Sequence, residues 1–179
     1  IFMPLINTSF AQSMTEIDDS EVLEFLIEAI IKKIEKIIGY PLAKEETTDY
    51  IGGLNTREIW LPRKPVSDVS ELVVFDNRLE PEEYTLRNAE DTPHIVLKNE
   101  ILPTCEEAKV TYTAGFADGE LDADIKLLIF NLINDFKSQL DNGDIKSYKF
   151  EKVSYKFTSY LEKQDNFYNQ VINTFGEIL

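Results

Sequence analysis

One cysteine, one histidine and one tryptophan occur in 179 residues, beside only seven glycines and seven prolines. With Cys105 alone there is no intrachain disulfide, which excludes a small stapled secreted scaffold and points to a reducing compartment. A single histidine, His94, leaves a zinc ion nothing but one distant cysteine and carboxylates, so zinc ligation is not expected. Following Pro93 inside a predicted strand, His94 reads as a surface or half-buried structural side chain. No serine occupies a Gly-x-Ser-x-Gly elbow. The isolated pair Gly52-Gly53 lacks the Lys-Ser or Lys-Thr that would follow it in a phosphate-cradling loop. Long apolar runs are missing as well, since charged and polar residues break them and no segment suits a bilayer span. The opening Ile1-Phe2-Met3-Pro4 has neither the basic start nor the apolar stretch of a signal peptide.

Basic residues are also scarce. Eighteen Lys and Arg stand against 33 Asp and Glu, a formal net charge of −15. Phosphate binding needs cations to displace condensed counterions, so sequence-specific nucleic-acid binding is not expected. Such a surface suits solubility, and it also suits letting DNA pass without trapping it. The remaining composition, 43% hydrophobic and 28% charged, is that of an ordinary globular chain. Its length fits one domain, or one domain with an appendage, and a core burying roughly two-thirds of the unfolded surface.

What is present is a helix–strands–helix order. Asp18-Asp19-Ser20-Glu21 opens a helix with N-cap residues and favourable acidic charge. Leu23, Leu26, Ile27, Ile30, Ile31, Ile34, Ile37 and Ile38 lie on one stripe of it. Gly39 supplies a left-handed stop and Pro41 blocks continuation. Upstream, residues to about Thr15 predict a loose arm or one short helix. From Thr47 to Thr113 the period is two, giving strands at Thr47–Ile51, Arg57–Leu61, Glu71–Phe75, Tyr84–Leu86, His94–Leu97 and Ala108–Thr113. Pro62 and Pro65 make Leu61–Val66 an edge or a connector. A second long helix runs from about Asp122, its N-cap, to Leu140, with Ile125, Leu128, Ile129, Leu132, Ile133, Phe136 and Leu140 as its stripe. Leu127 and Phe130 widen that stripe, for a helix wedged between the first helix and the sheet or for a subunit interface. Tyr148, Phe150, Val153, Tyr155 and Phe157 alternate with a phase switch at Glu151-Lys152, predicting a hairpin or a bulge. The fold class is therefore α+β: long amphipathic helices packed together, an inserted small antiparallel β-meander or partial barrel, then a C-terminal hairpin and helix. The divisions are a 1–158 domain with a β insert at about 45–115, and a 159–179 amphipathic segment.

Three stretches invite a functional reading. Asp118 to Asp124 alternates carboxylates like the start of a calcium loop. Ala123 stands where that loop needs glycine and Ile129 where it needs glutamate, so the stretch reads as a capping loop. Lys146, Lys149, Lys152 and Lys156 interleave with aromatics as a candidate basic contact strip, suited to single-stranded nucleic acid, to an acidic partner or to the wet face of a hairpin, with nucleic acid disfavoured by the overall charge. The closing helix carries Phe167, Val171, Ile172, Phe175, Ile178 and Leu179 on one side. That stripe either folds back on its own core or docks in a partner's groove.

The order and spacing of several short pieces resemble the head–tail connector (adaptor or head completion) proteins of long-tailed bacteriophages. The pieces are Gly39-Tyr40-Pro41-Leu42, Tyr50, Ile59-Trp60-Leu61-Pro62 with Pro65-Val66 and Val69, Tyr84, Val110 to Phe116, Asp124-Ile125-Lys126, and Ile145-Lys146-Ser147. Together they span about Asp19 to Phe157. Tyr40 replaces a frequent arginine, and Leu121-Asp122 replaces a common proline. The resemblance implies a structural virion protein with no cofactor, metal or catalytic residue. It implies a homo-oligomeric ring, commonly a dodecamer, that joins the portal to stopper and tail proteins at the neck and extends the DNA channel. It further implies assembly in the host bacterial cytoplasm, no membrane association, and a C-terminal segment gripping the portal. A rival reading is a phage tail or baseplate module, or a protein-binding domain, that binds through the β insert. A hydrolase using paired carboxylates has no supporting spacing.

Overall fold

The computed structural model describes residues 5–88, 92–141, 156–157, 159–161 and 166–175. The chain divides into two compact units, one formed by Ile1–Leu42 with Ala117–Leu179 and the other by Ala43–Phe116.

The first unit is helical, with α1 (Thr8–Thr15), α2 (Ser20–Ile38), α3 (Ala123–Asp141) and α4 (Phe167–Phe175). Helix α1 is the short helix, capped by Asn7, whose side chain accepts from the Phe10 N–H. Asp19 caps α2 by accepting from the N–H groups of Glu21 and Val22 at 3.0 and 3.1 Å. The helix ends at Gly39, whose φ of +84° is one an L side chain rarely adopts. Leu23, Leu26, Ile27, Ile30 and Ile34 are buried along the predicted stripe. Asp122 caps α3, accepting from the Asp124 N–H at 2.8 Å. The α3 face of Ile125, Ile129, Leu132, Ile133 and Phe136 is buried.

Helices α1 and α3 are tied twice. Phe130 meets the Phe10 ring edge-on at 5.7 Å, which accounts for one residue of the widened stripe. At the end of α1, the Met14 carbonyl accepts from Asn134 Nδ2, and the Thr15 carbonyl from Lys137 Nζ. A lysine at orphaned helix carbonyls also favours the negative end of the dipole.

Among the described residues the second unit holds seven strands in two antiparallel sheets. They are β1 (Glu45–Gly52), β2 (Glu58–Trp60), β3 (Val66–Val74), β4 (Asn77–Arg78), β5 (Tyr84–Arg87), β6 (His94–Leu97) and β7 (Glu107–Ala114). The four-stranded sheet has the order β1-β7-β3-β4 and the three-stranded sheet the order β2-β6-β5. One apolar core draws Leu72, Val74, Val110 and Tyr112 from the first sheet and Ile59, Tyr84, Ile95 and Leu97 from the second. Burying each such side chain contributes roughly 1.5–3 kcal/mol, which is what holds two small sheets together. The sheets do not close into a barrel.

Strand β3 begins at Val66, five residues before the predicted Glu71, because two bulges hide its alternation. Register shifts fall between Val66 and Asp68 and between Val69 and Glu71. The hydroxyls of the extra residues Ser67 and Ser70 donate to the carbonyls of Thr113 and Thr111 on β7. Residues 62–65 form the connector expected from the two prolines. The predicted hairpin residues Tyr148, Phe150, Val153 and Tyr155 lie outside the described residues. At its predicted end Lys156 and Phe157 are helical, not extended. Phe157 packs edge-on against Phe136 at 4.8 Å, so burial on α3 decides its conformation.

Candidate functional site

The C-terminal stripe lies mainly in the core of its own unit. Phe167, Val171 and Phe175 are buried and Ile172 is half-buried, with α4 set against α2 and α3. Tyr168 is left 58% exposed on the other side of α4. Ile178 and Leu179 lie outside the described residues. Of the candidate basic strip, Lys146, Lys149 and Lys152 lie outside them too, and Lys156 is exposed.

The acidic loop serves the helix that follows it. Gly119 turns with φ +76°, and its carbonyl accepts from Lys126 Nζ at 3.1 Å. Among the described residues no three of His, Cys, Asp and Glu are gathered to hold a metal ion. Nor is any helix among them long and apolar enough to cross a membrane. A small hollow beside Leu79, Glu83, Leu97, Asn99 and Glu100 has a volume of about 10 Å³, room for about one water molecule.

Most of the ion pairs among the described residues fall in the β unit. Tyr112, fully buried on β7, donates to Asp49 Oδ2 at 2.6 Å. Burial, and then the hydrogen bond to that carboxylate, pushes the phenol well above its ordinary value. Arg63, from the proline-flanked connector, donates to Glu45 at 2.9 Å, and its Nε stands 3.6 Å from Asp49. On the other face of the sheet Lys109 Nζ donates to Glu71 at 2.6 Å. That hydrogen bond, and then the lysine's charge, hold the Glu71 carboxyl below its ordinary value.

His94 is half-buried, with its ring 4.5 Å from that of Trp60. Its Nδ1 lies 3.1 Å from the Thr92 carbonyl. Sequence reasoning does not single out Arg63 or the pairing of Trp60 with His94. The Pro62-Arg63-Lys64-Pro65 composition marks the connector, but nothing local reveals which carboxylates its arginine will reach.

These features define a protein built of packed elements and outward-facing side chains. The family model described as "Head completion protein" matches residues 8–164. The chain belongs to the head completion protein family. No curated protein matches it. Among solved structures, a chain in the neck of an empty gene transfer agent (GTA) particle, computed with C6 symmetry, is 16% identical with a TM-score of 0.53, over 88% of this chain and 92% of that one. A chain of a native GTA virion is 14% identical with a TM-score of 0.54, covering 100% and 97%. A chain in the neck of the native particle, computed with C12 symmetry, is 17% identical with a TM-score of 0.51, covering 88% and 91%. This chain shares their fold.

Proposed function

We propose that the protein is a ring-forming adaptor of the bacteriophage neck, standing between the portal and the stopper or tail proteins and extending the channel through which DNA passes. The observation that carries this reading is the match of the family model across residues 8–164. Similarity over nearly full length to chains from necks with sixfold and twelvefold symmetry supports a ring, which we take as a dodecamer. A net charge of −15 suits a lumen that repels phosphate and lets DNA slide. Its work is assembly, not catalysis, carried out in the host cytoplasm and retained in the virion.

The segment from residue 159 onward supplies the portal contact in this reading. Because Phe167, Val171 and Phe175 are buried, the contact falls to the outward side chains of α4, Tyr168 above all, with Ile172 at its margin. The test is to incubate the purified protein with portal-bearing heads and image the complexes by electron microscopy. Density as a ring beneath the portal is expected. Tyr168→Ala with Ile172→Ala should stay folded and lose that density. Absence of the unmodified protein from the portal overturns the assignment, and normal joining by the double variant overturns the role of α4.

A further inference from the structure

We propose that a cross-strand row on the outer face of the three-stranded sheet, Trp60–His94–Arg87, docks the acidic turn Glu80–Glu83 of a second copy of this chain. The row follows from the register. Trp60 pairs with His94 across β2 and β6, and Arg87 pairs with His94 across β5 and β6. Their neighbours Ile59 and Ile95 enter the core, so alternation puts the row on the opposite face. Trp60 is 42% exposed, and its indole lies against the imidazole at 4.5 Å with a 35° tilt.

Charge selects the occupant. Arg63, Arg78 and Lys109 each face a carboxylate within 4 Å. Arg87 is exposed and, among the described residues, faces none, although the chain has nearly two acids for each base. An exposed guanidinium in one cross-strand row with an open indole matches a carboxylate on an extended segment, since Arg and Trp anchor interfaces through bidentate hydrogen bonds and flat apolar area. A polyanionic strand is the poorer occupant for a chain of this net charge.

The complementary patch is on the same molecule. Glu80 and Glu82 are exposed on the turn Pro81–Glu83 that leads into β5. Glu82 uses its backbone carbonyl to accept from Lys98 Nζ, leaving its carboxylate outside that bond. Arg87 lies at the far end of the same strand. Two different patches on one subunit make a head-to-tail contact, the kind that closes rings when the rotation allows. The inference rests on the ring reading only in taking the partner to be another copy.

Trp60 is the only tryptophan, so its emission reports the row directly. The test follows emission and sedimentation of the full chain together over a concentration series. In the parent, emission should shift in step with self-association. Arg87→Glu or Glu82→Arg should each weaken association about tenfold or more, and the double reversal should restore it. Trp60→Ala should weaken association by sedimentation without changing the far-ultraviolet circular dichroism. The proposal is overturned by a parent that stays monomeric at the highest concentration reached, by association indifferent to both reversals, or by duplex DNA shifting Trp60 emission where added protein does not. None of these outcomes bears on the portal-bound density that tests the neck assignment.

Discussion

The phenol of Tyr112 and the carboxylate of Asp49 meet at 2.6 Å across the β1–β7 pair. Asp49 stands opposite Val110, whose side chain is buried, so this acid faces the core side of an edge strand. An inward charge on an open edge discourages pairing with a foreign strand, because such pairing would strip it of water. Here the carboxylate is satisfied from within by Tyr112 and from the side by Arg63.

Tyr112→Phe keeps the ring and removes the donor. We expect a loss of about 1–2 kcal/mol in stability from denaturant unfolding, the usual cost of leaving a polar partner short of one hydrogen bond. The alkaline limb carries the sharper signature. The Tyr112 value is raised by burial and then by Asp49 above the ordinary 10.0. The phenol therefore contributes stability that is fully present below about pH 10 and lost as pH rises toward the folded-state value. The phenylalanine variant should lose stability less steeply above pH 10. Identical slopes in parent and variant would show that the phenol is not held protonated by the fold.

Gly53 marks a close approach of two backbone segments. A Cβ there would stand 2.1 Å from the Pro103 carbonyl oxygen and 2.6 Å from that of Leu102. The Gly53 N–H donates to the Glu106 carbonyl at 2.9 Å, so the segments cannot part without losing it. Gly53→Ala should cost about 2–3 kcal/mol as overpacking against main chain. Its neighbour Gly52 has nothing within 4 Å of a Cβ, and Gly52→Ala should fall within about 0.5 kcal/mol of the parent. Thermal melts of the two variants check the contrast.

Those neighbouring glycines show where the legibility of the chain ends. Periodicity finds α2, α3 and five of the strands almost to their ends, since each buries one regular face. Asp19, Asp122 and Gly39 are equally readable, because caps depend on a few adjacent residues. The start of β3 is hidden because the bulges at Ser67 and Ser70 shift the alternation that would reveal it. Phe157 fits a strand by alternation and sits in a helix because Phe136 and Tyr160 enclose it. The reach of Arg63 to Asp49 and the row joining Trp60 to His94 are set by strand register and connector path, which no local pattern encodes.

Helix α4 gives a prediction on the helical unit. Phe167 and Val171 are buried at 1% and 0% exposure. Truncating Phe167 to alanine leaves a cavity beside α2 and α3 and should cost about 3–5 kcal/mol. Tyr168→Ala, one residue along and outward, should leave stability nearly unchanged. Chemical denaturation of both variants separates a helix that belongs to the core from one resting loosely on it. Equal, small effects would mean that α4 is not part of the cooperative unit.

Acid provides the last test, at Glu71. Lys109 Nζ donates to this carboxylate at 2.6 Å, and Arg78 stands 3.9 Å away. The hydrogen bond from Lys109, then its charge, hold the Glu71 carboxyl below the ordinary 4.5. A depressed folded-state value means that the group stabilises the fold above the unfolded value, and that this contribution fades as pH falls through the folded one. Glu71→Gln keeps the shape and removes the charge, so its stability should depend less on pH below 4.5 than the parent's. Added salt should narrow the gap between the two proteins at neutral pH, because the pair is partly open to solvent. An unchanged acid limb in the variant would assign the acid sensitivity of the β unit to other carboxylates.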